Sequence, residues 1–151
     1  MIDQLLFISL HRMRLITSPL LFNDLLGFFQ LLHGLLRGRL RIAAVQTEKS
    51  VEALMLYLAV LRAGHVYLPL NTAYQSGEIE YFIGNAEPAV VVCSGANFGW
   101  VSKIAFKAGT HHVFTLNDDR TGSLLDRAAH QADSHVPAVK SADELAAILY
   151  T

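Results

Sequence analysis

The run AVVVC, Ala89–Cys93, is apolar at every position. Successive side chains on a strand point to opposite faces, so such a strand needs cover on both. That requirement favours a parallel sheet between two helical layers, and the flanking sequence supplies the parts. From Arg41 onward, short apolar runs alternate with stretches of helical spacing. RIAAVQ, HVYLPLN, AVVVC, HHVFTL and LAAILYT are candidate strands. Between them, helices are expected over Val51–Ala63, Ser76–Ala86, within FGWVSKIAFKAG, and in SLLDRAAHQ. This alternation predicts an α/β fold with a doubly wound, mostly parallel sheet.

Local signals sharpen the boundaries. Ser50 can cap the helix that starts at Val51, with Glu52 in the first turn where the helix dipole favours negative charge. Gly64 stands where a left-handed residue would end that helix. Pro69 suggests a strand end or edge, and Pro88 stops the second helix. The helix Val51–Ala63 is apolar on nearly every side and is expected to be the most buried element. Leu54, Leu58 and Leu61 fall on one stripe, with Leu56 and Val60 on another. The closing strand, if its outer edge is uncovered, is a template for self-association.

Residues 1–40 do not join this rhythm and are expected to form a Leu- and Arg-rich, irregular lead-in, interrupted by Pro19, Asn23, Asp24, Gly27 and Gly34. They are also the basic part of the chain. Residues 1–41 carry five Arg against Asp3 and Asp24, or +3, whereas residues 42–151 carry seven basic and eleven acidic groups, or −4. The sum of −1 gives no overall basic field for nucleic acid. Without 18 uninterrupted apolar residues, a transmembrane helix is not expected either. Cys93 is the single cysteine. No intrachain disulfide can form, and a reducing, cytoplasmic setting is the default. The Arg-bearing, acid-poor start leaves a mitochondrial presequence as the alternative.

Chemistry-bearing residues are sparse. Cys93 ends an apolar strand and reads as a core residue. His111 and His112 are adjacent, so on a strand they point apart; His130 and His135 miss the i, i+4 spacing of a helical zinc pair. Asp118 and Asp119 read as a solvated loop, although paired carboxylates can attract Mg²⁺. There is neither a G-x-G-x-x-G after a strand nor a G-x-x-x-x-G-K-[ST]. A flavodoxin-like nucleotide-binding domain therefore lacks its phosphate loop.

The stretch VQTEKSVEALMLYLAVLRAGHVYLPLNTAYQSGEIEYFIGNAEPAVVVC, Val45–Cys93, resembles the acyl-adenylate-forming ligases. Its QTEKS, YLPLNTAY and EYFI…AEP are most similar to malonyl-CoA synthetases, and GSLLDRAA and DELAAILYT extend the likeness over residues 41–151. The resemblance implies a partial N-terminal subdomain of an acyl-CoA ligase. It implies an enzyme that joins ATP to a carboxylate, releases pyrophosphate, and passes the acyl group to coenzyme A, with Mg²⁺. It also implies that Thr151 is the first residue of the ATP-phosphate motif, a Ser/Gly/Thr-rich loop closed by Lys and Gly. The rest of that motif and all downstream ligands lie outside these 151 residues. No cofactor is then expected on this chain alone, and a truncated, inactive gene fragment is the leading expectation for its origin. A non-catalytic module docking on a full-length ligase is the alternative. Two positions depart from the family pattern. His65 replaces a small residue and is expected to strain or open the helix–strand turn. Gln75 replaces a capping Thr or Ser ahead of Glu78, a loss of about 0.5–2 kcal/mol.

Overall fold

The structure, a computed structural model, is described for residues 19–36, 41–131 and 136–150. Helix α1 (Pro19–Leu35) precedes a strictly alternating series: β1 (Ile42–Gln46), α2 (Val51–Arg62), β2 (Val66–Pro69), α3 (Ser76–Ala86), β3 (Val90–Cys93), α4 (Phe98–Lys107), β4 (His112–Thr115) and α5 (Ser123–Ala128). The four strands form one parallel sheet in the order β2-β1-β3-β4. The parallel sheet lies between two layers of helices, as the alternation predicts.

Side-chain alternation splits the sheet's apolar residues between two cores. Ala43, Val45, Val90, Val92 and Phe114 face α1, α2 and α5. Ala44, Leu68, Val91 and Cys93 face α3 and α4. All four residues of β3 are buried, because the strand is central and covered on both faces.

Over Pro19–Leu35, a helix replaces the irregular lead-in expected for residues 1–40. Proline is tolerated in the first turn of a helix, where its missing N–H would have no intrahelical partner; Pro19 starts α1 rather than breaking it. Leu25, Phe28, Phe29, Leu31, Leu32 and Leu36 are buried against α2, α5 and the sheet. Gly27 has a packing reason: a Cβ there would lie 2.7 Å from the Ala128 carbonyl oxygen, so only glycine lets α1 and α5 approach so closely.

Helix α2 is capped as expected, with the Ala53 N–H donating to Ser50 Oγ at 3.1 Å. Of the two expected stripes, the one with Leu56 and Val60 is the buried face. Glu52, Met55, Leu56, Ala59 and Val60 are buried, at i, i+3, i+4, i+7 and i+8. Leu54 is 51% exposed, and Leu58 packs only at the core's rim. In so leucine-rich a helix several stripes read as apolar; the true contact face includes the smaller Ala59, which lets neighbouring elements close in. Replacement of Leu56 by Ala is expected to cost about 2–5 kcal/mol. Leu54→Ala should stay within about 0.5 kcal/mol. Urea unfolding of both variants checks the assignment, and equal losses would contradict it.

The turn after α2 is intact despite His65. Gly64 N–H donates to Leu61 O at 2.9 Å and His65 N–H to Val60 O at 3.0 Å, the paired bonds of a Schellman cap. The expected opening does not occur, because the side chain at position 65 lies outside the left-handed position, which Gly64 occupies at φ +77°. At α3, the Glu78 carboxylate still accepts from the Gln75 N–H at 2.8 Å, so that arm of the capping box survives the loss of a hydroxyl.

The closing segment forms one parallel bridge, Tyr67 to Ala147, rather than the full strand expected. Tyr67 N–H donates to Ala146 O at 2.9 Å, and Ile148 N–H to Tyr67 O at 3.0 Å. The next donor on this edge of β2 would be residue 69, a proline without an N–H, so the ladder stops. The segment covers part of the β2 edge, while Leu145 and Leu149 stay exposed.

Candidate functional site

The chain steps from β1 outward to β2, then crosses back to β3 and on to β4, so the strand order reverses between β1 and β3. In open α/β sheets such a reversal leaves a crevice at the carboxyl ends of the strands. Each strand or its following loop ends there on a polar residue: Gln46, Asn71, Ser94 and Asn117.

Gln46 is 1% exposed and links the end of β1 to two loops. Its Nε2 donates to the carbonyls of Asn71 at 3.2 Å and Tyr74 at 3.5 Å. Its Oε1 accepts from Asn97 Nδ2 at 3.4 Å, and Asn97 Oδ1 accepts from Trp100 Nε1 at 3.3 Å. Beyond β4, Asn117 Oδ1 accepts from Gly95 N–H at 2.8 Å, while its Nδ2 donates to Thr121 Oγ1 at 2.9 Å. These buried and half-buried amides are satisfied by one another and by neighbouring loop groups, which fixes the loops relative to the sheet.

An ionic bridge closes the flank of this edge. Arg120, in the left-handed region at φ +63°, donates from one guanidinium nitrogen to Glu52 and from the other to Asp24 Oδ2, the latter at 2.8 Å. It ties the β4–α5 loop to α1 and to the start of α2. Burial pushes the Asp24 carboxyl above its ordinary range, an effect opposed by Arg120 and reinforced by Glu52.

This edge suits scaffolding better than catalysis. The described amides are neutral and engaged with neighbouring loop groups, and Arg120 is held by two carboxylates. A triphosphate needs converging N–H groups or cations, and Arg120 at this edge is already engaged by Asp24 and Glu52. Cys93 is buried, its Sγ donates to Phe114 O at 3.9 Å, and burial pushes its thiol up to about 12. It is a core residue, as expected. Asp119 accepts from the Thr121 N–H at 3.1 Å and hydroxyl at 2.5 Å, bracing its own loop. His111 is exposed; His112 stacks on Phe114 with ring centroids 6.5 Å apart. Among the described residues, no three of His, Cys, Asp or Glu converge as metal ligands. Among the same residues, no helix is long and apolar enough to cross a membrane. Thr151 and His135 lie outside the described residues.

The amide network was not singled out from the sequence. Its signal is the polar residue that follows each apolar run, and its partners, such as Gln46 and Asn97, are 51 positions apart.

Residues 29–151 match the AMP-binding enzyme family. Among solved structures, apo MatB from Rhodopseudomonas palustris is 46% identical with a TM-score of 0.81, over 87% of this chain and 26% of that one. The ATP-bound form of MatB matches to the same degree. A benzoate CoA ligase from Burkholderia xenovorans LB400 shares the fold, with a TM-score of 0.73 at 19% identity, over 84% of this chain and 26% of that one. Oxalate–CoA ligase of Arabidopsis thaliana is 28% identical over 73% of this chain and 22% of its own length. The chain thus spans about a quarter of the ligases it matches.

Proposed function

Because the chain belongs to the AMP-binding enzyme family, we propose that it is the N-terminal portion of an acid–CoA ligase of the malonyl-CoA synthetase type. In this reading the whole enzyme uses ATP and Mg²⁺ to adenylate a dicarboxylic acid, then transfers the acyl group to coenzyme A. The observation that carries the proposal is the gap in identity at similar fold. MatB stands at 46%, whereas the benzoate and anthranilate ligases stand at 19% and 16%. The likeness of Val45–Cys93 to malonyl-CoA synthetases points the same way. A buried, unpaired Cys93 fits a reducing compartment, and the cytoplasm is the setting we assign.

The role of this portion is to hold the carboxyl edge of the sheet rigid. Gln46, Asn97 and Asn117 fix the loops at that edge, and Tyr150 is seated where Asn85 Nδ2 donates to its hydroxyl at 2.6 Å. Its ring lies 4.5 Å from that of Phe82. In this reading Thr151 then opens the phosphate motif from an anchored neighbour.

The test is a chimera in which residues 42–150 replace the matching stretch of a malonyl-CoA synthetase. Malonate-dependent pyrophosphate release should be retained, with malonate still preferred over benzoate. A folded, soluble chimera that no longer adenylates malonate would count against the assignment.

A further inference from the structure

Residues 136–150 cross the outside of the domain with few anchors. Ala138 N–H donates to Arg62 O at 3.0 Å, and the two bonds to Tyr67 hold Ala146 and Ile148. Lys140 lies across the α2–β2 turn; its Cε and the Ala138 Cβ stand 2.7 and 2.8 Å from where a Cβ on Gly64 would be. Between these bonds Val136 is 84% and Val139 96% exposed, while Ile148 and Tyr150 at the far end pack against α3. Residues 136–146 bury little apolar surface, and such a stretch opens at lower cost than the core.

His65, the residue next to that turn, is 7% exposed, and its Nδ1 has no hydrogen-bond partner among the described residues. The groups acting on it are cationic or can become so: Lys140 from the segment, His33 from α1, and Arg41 ahead of β1. Arg62, at the end of α2, holds Ala138 through its carbonyl. The nearby carboxylate on the segment, Glu144, is taken by Lys140 at 2.7 Å. A proton on His65 would place a buried charge among cations without an acceptor.

We propose that residues 136–148 form an acid-released strap. Protonation of His65 frees the strap from the α2–β2 turn and the β2 edge while the four-stranded core remains folded. Burial, then Lys140, His33 and Arg41, lower the His65 pKa to about 4 in the closed form. Once released, the imidazole returns toward its ordinary value of about 6.5. The open form therefore binds more protons between those values. Opening is favoured as pH falls below about 6.5 and gains nothing further below about 4, with a limit of about tenfold per pH unit.

Hydrogen exchange on the 151-residue chain, corrected for intrinsic rates, reads this directly and does not depend on turnover. The amides of Tyr67, Ala138 and Ile148 should lose protection steadily from pH 6.5 to 4.5, while those of Val91 and Val92 hold theirs. In His65→Leu the strap amides should become independent of pH. Should that variant fail to fold, Lys140→Met serves instead: the His65 ring, followed by NMR, should then titrate closer to its ordinary value than in the parent. Strap protection that ignores pH in the parent, or β3 amides that open together with the strap, would overturn the proposal. So would a His65 ring that already titrates at its ordinary value in the folded parent.

Discussion

Gly122→Ala is expected to destabilise the domain by about 2–6 kcal/mol. Two costs add. Gly122 sits at φ +137°, a region essentially closed to residues with a Cβ, and holding another residue there costs about 1–3 kcal/mol. The new Cβ would also run into the Thr115 carbonyl oxygen and stand 2.8 Å from its carbon. Backbone cannot swing aside as a side chain can, and forcing an overpacked site apart costs about 1–3 kcal/mol. The closeness is imposed by the Thr115–Ser123 pair. Thr115 N–H donates to Ser123 Oγ, and Ser123 N–H to Thr115 Oγ1, each at 2.9 Å. Gly84→Ala is the control. It lies in α3 with open space around the position of a Cβ, and should stabilise by about 0.4–1 kcal/mol. Thermal or urea unfolding of the two variants should move in opposite directions. A Gly122→Ala variant as stable as the parent would contradict the described β4–α5 connection.

Much of the fold was legible because its signals are local. Four of the five apolar runs became strands, and these, the Ser50 cap and the Gly64 terminator need only a few neighbouring residues to be recognised. Helix α1 was hidden because its apparent breakers are explained by distant partners. Gly27 answers to Ala128 and Asp24 to Arg120, neither of which lies nearby in sequence. On α2 the stripe of Leu56 and Val60 is buried and that of Leu54 is not, for a related reason. Hydrophobicity ranks Leu54 above Ala59, but the close approach of packed elements selects the smaller residue. At the carboxyl edge, the residue types are ordinary surface amides, and only the crossover of the chain brings Gln46, Asn97 and Asn117 to one rim. Cys93 was readable because an apolar strand already said what surrounds it.

The second large effect concerns activity, and it separates a scaffold from a catalyst. Adenylation brings a carboxylate oxygen against the α-phosphorus of ATP, two groups that repel because both carry negative charge. The reaction therefore depends on donors and cations placed in advance to take up that charge, and the loss of one such donor costs about 2.7–4 kcal/mol, a factor of roughly a hundred to a thousand in rate. At the described edge the amides of Gln46, Asn97 and Asn117 are committed to neighbouring loops, and Arg120 to Glu52 and Asp24. None is left to meet a triphosphate without breaking the network that holds the edge. The decisive measurement is malonate-dependent ATP–pyrophosphate exchange by the purified 151-residue polypeptide in Mg²⁺. The expected result is no signal above the blank without malonate; exchange that requires malonate and scales with the polypeptide would contradict the scaffold account.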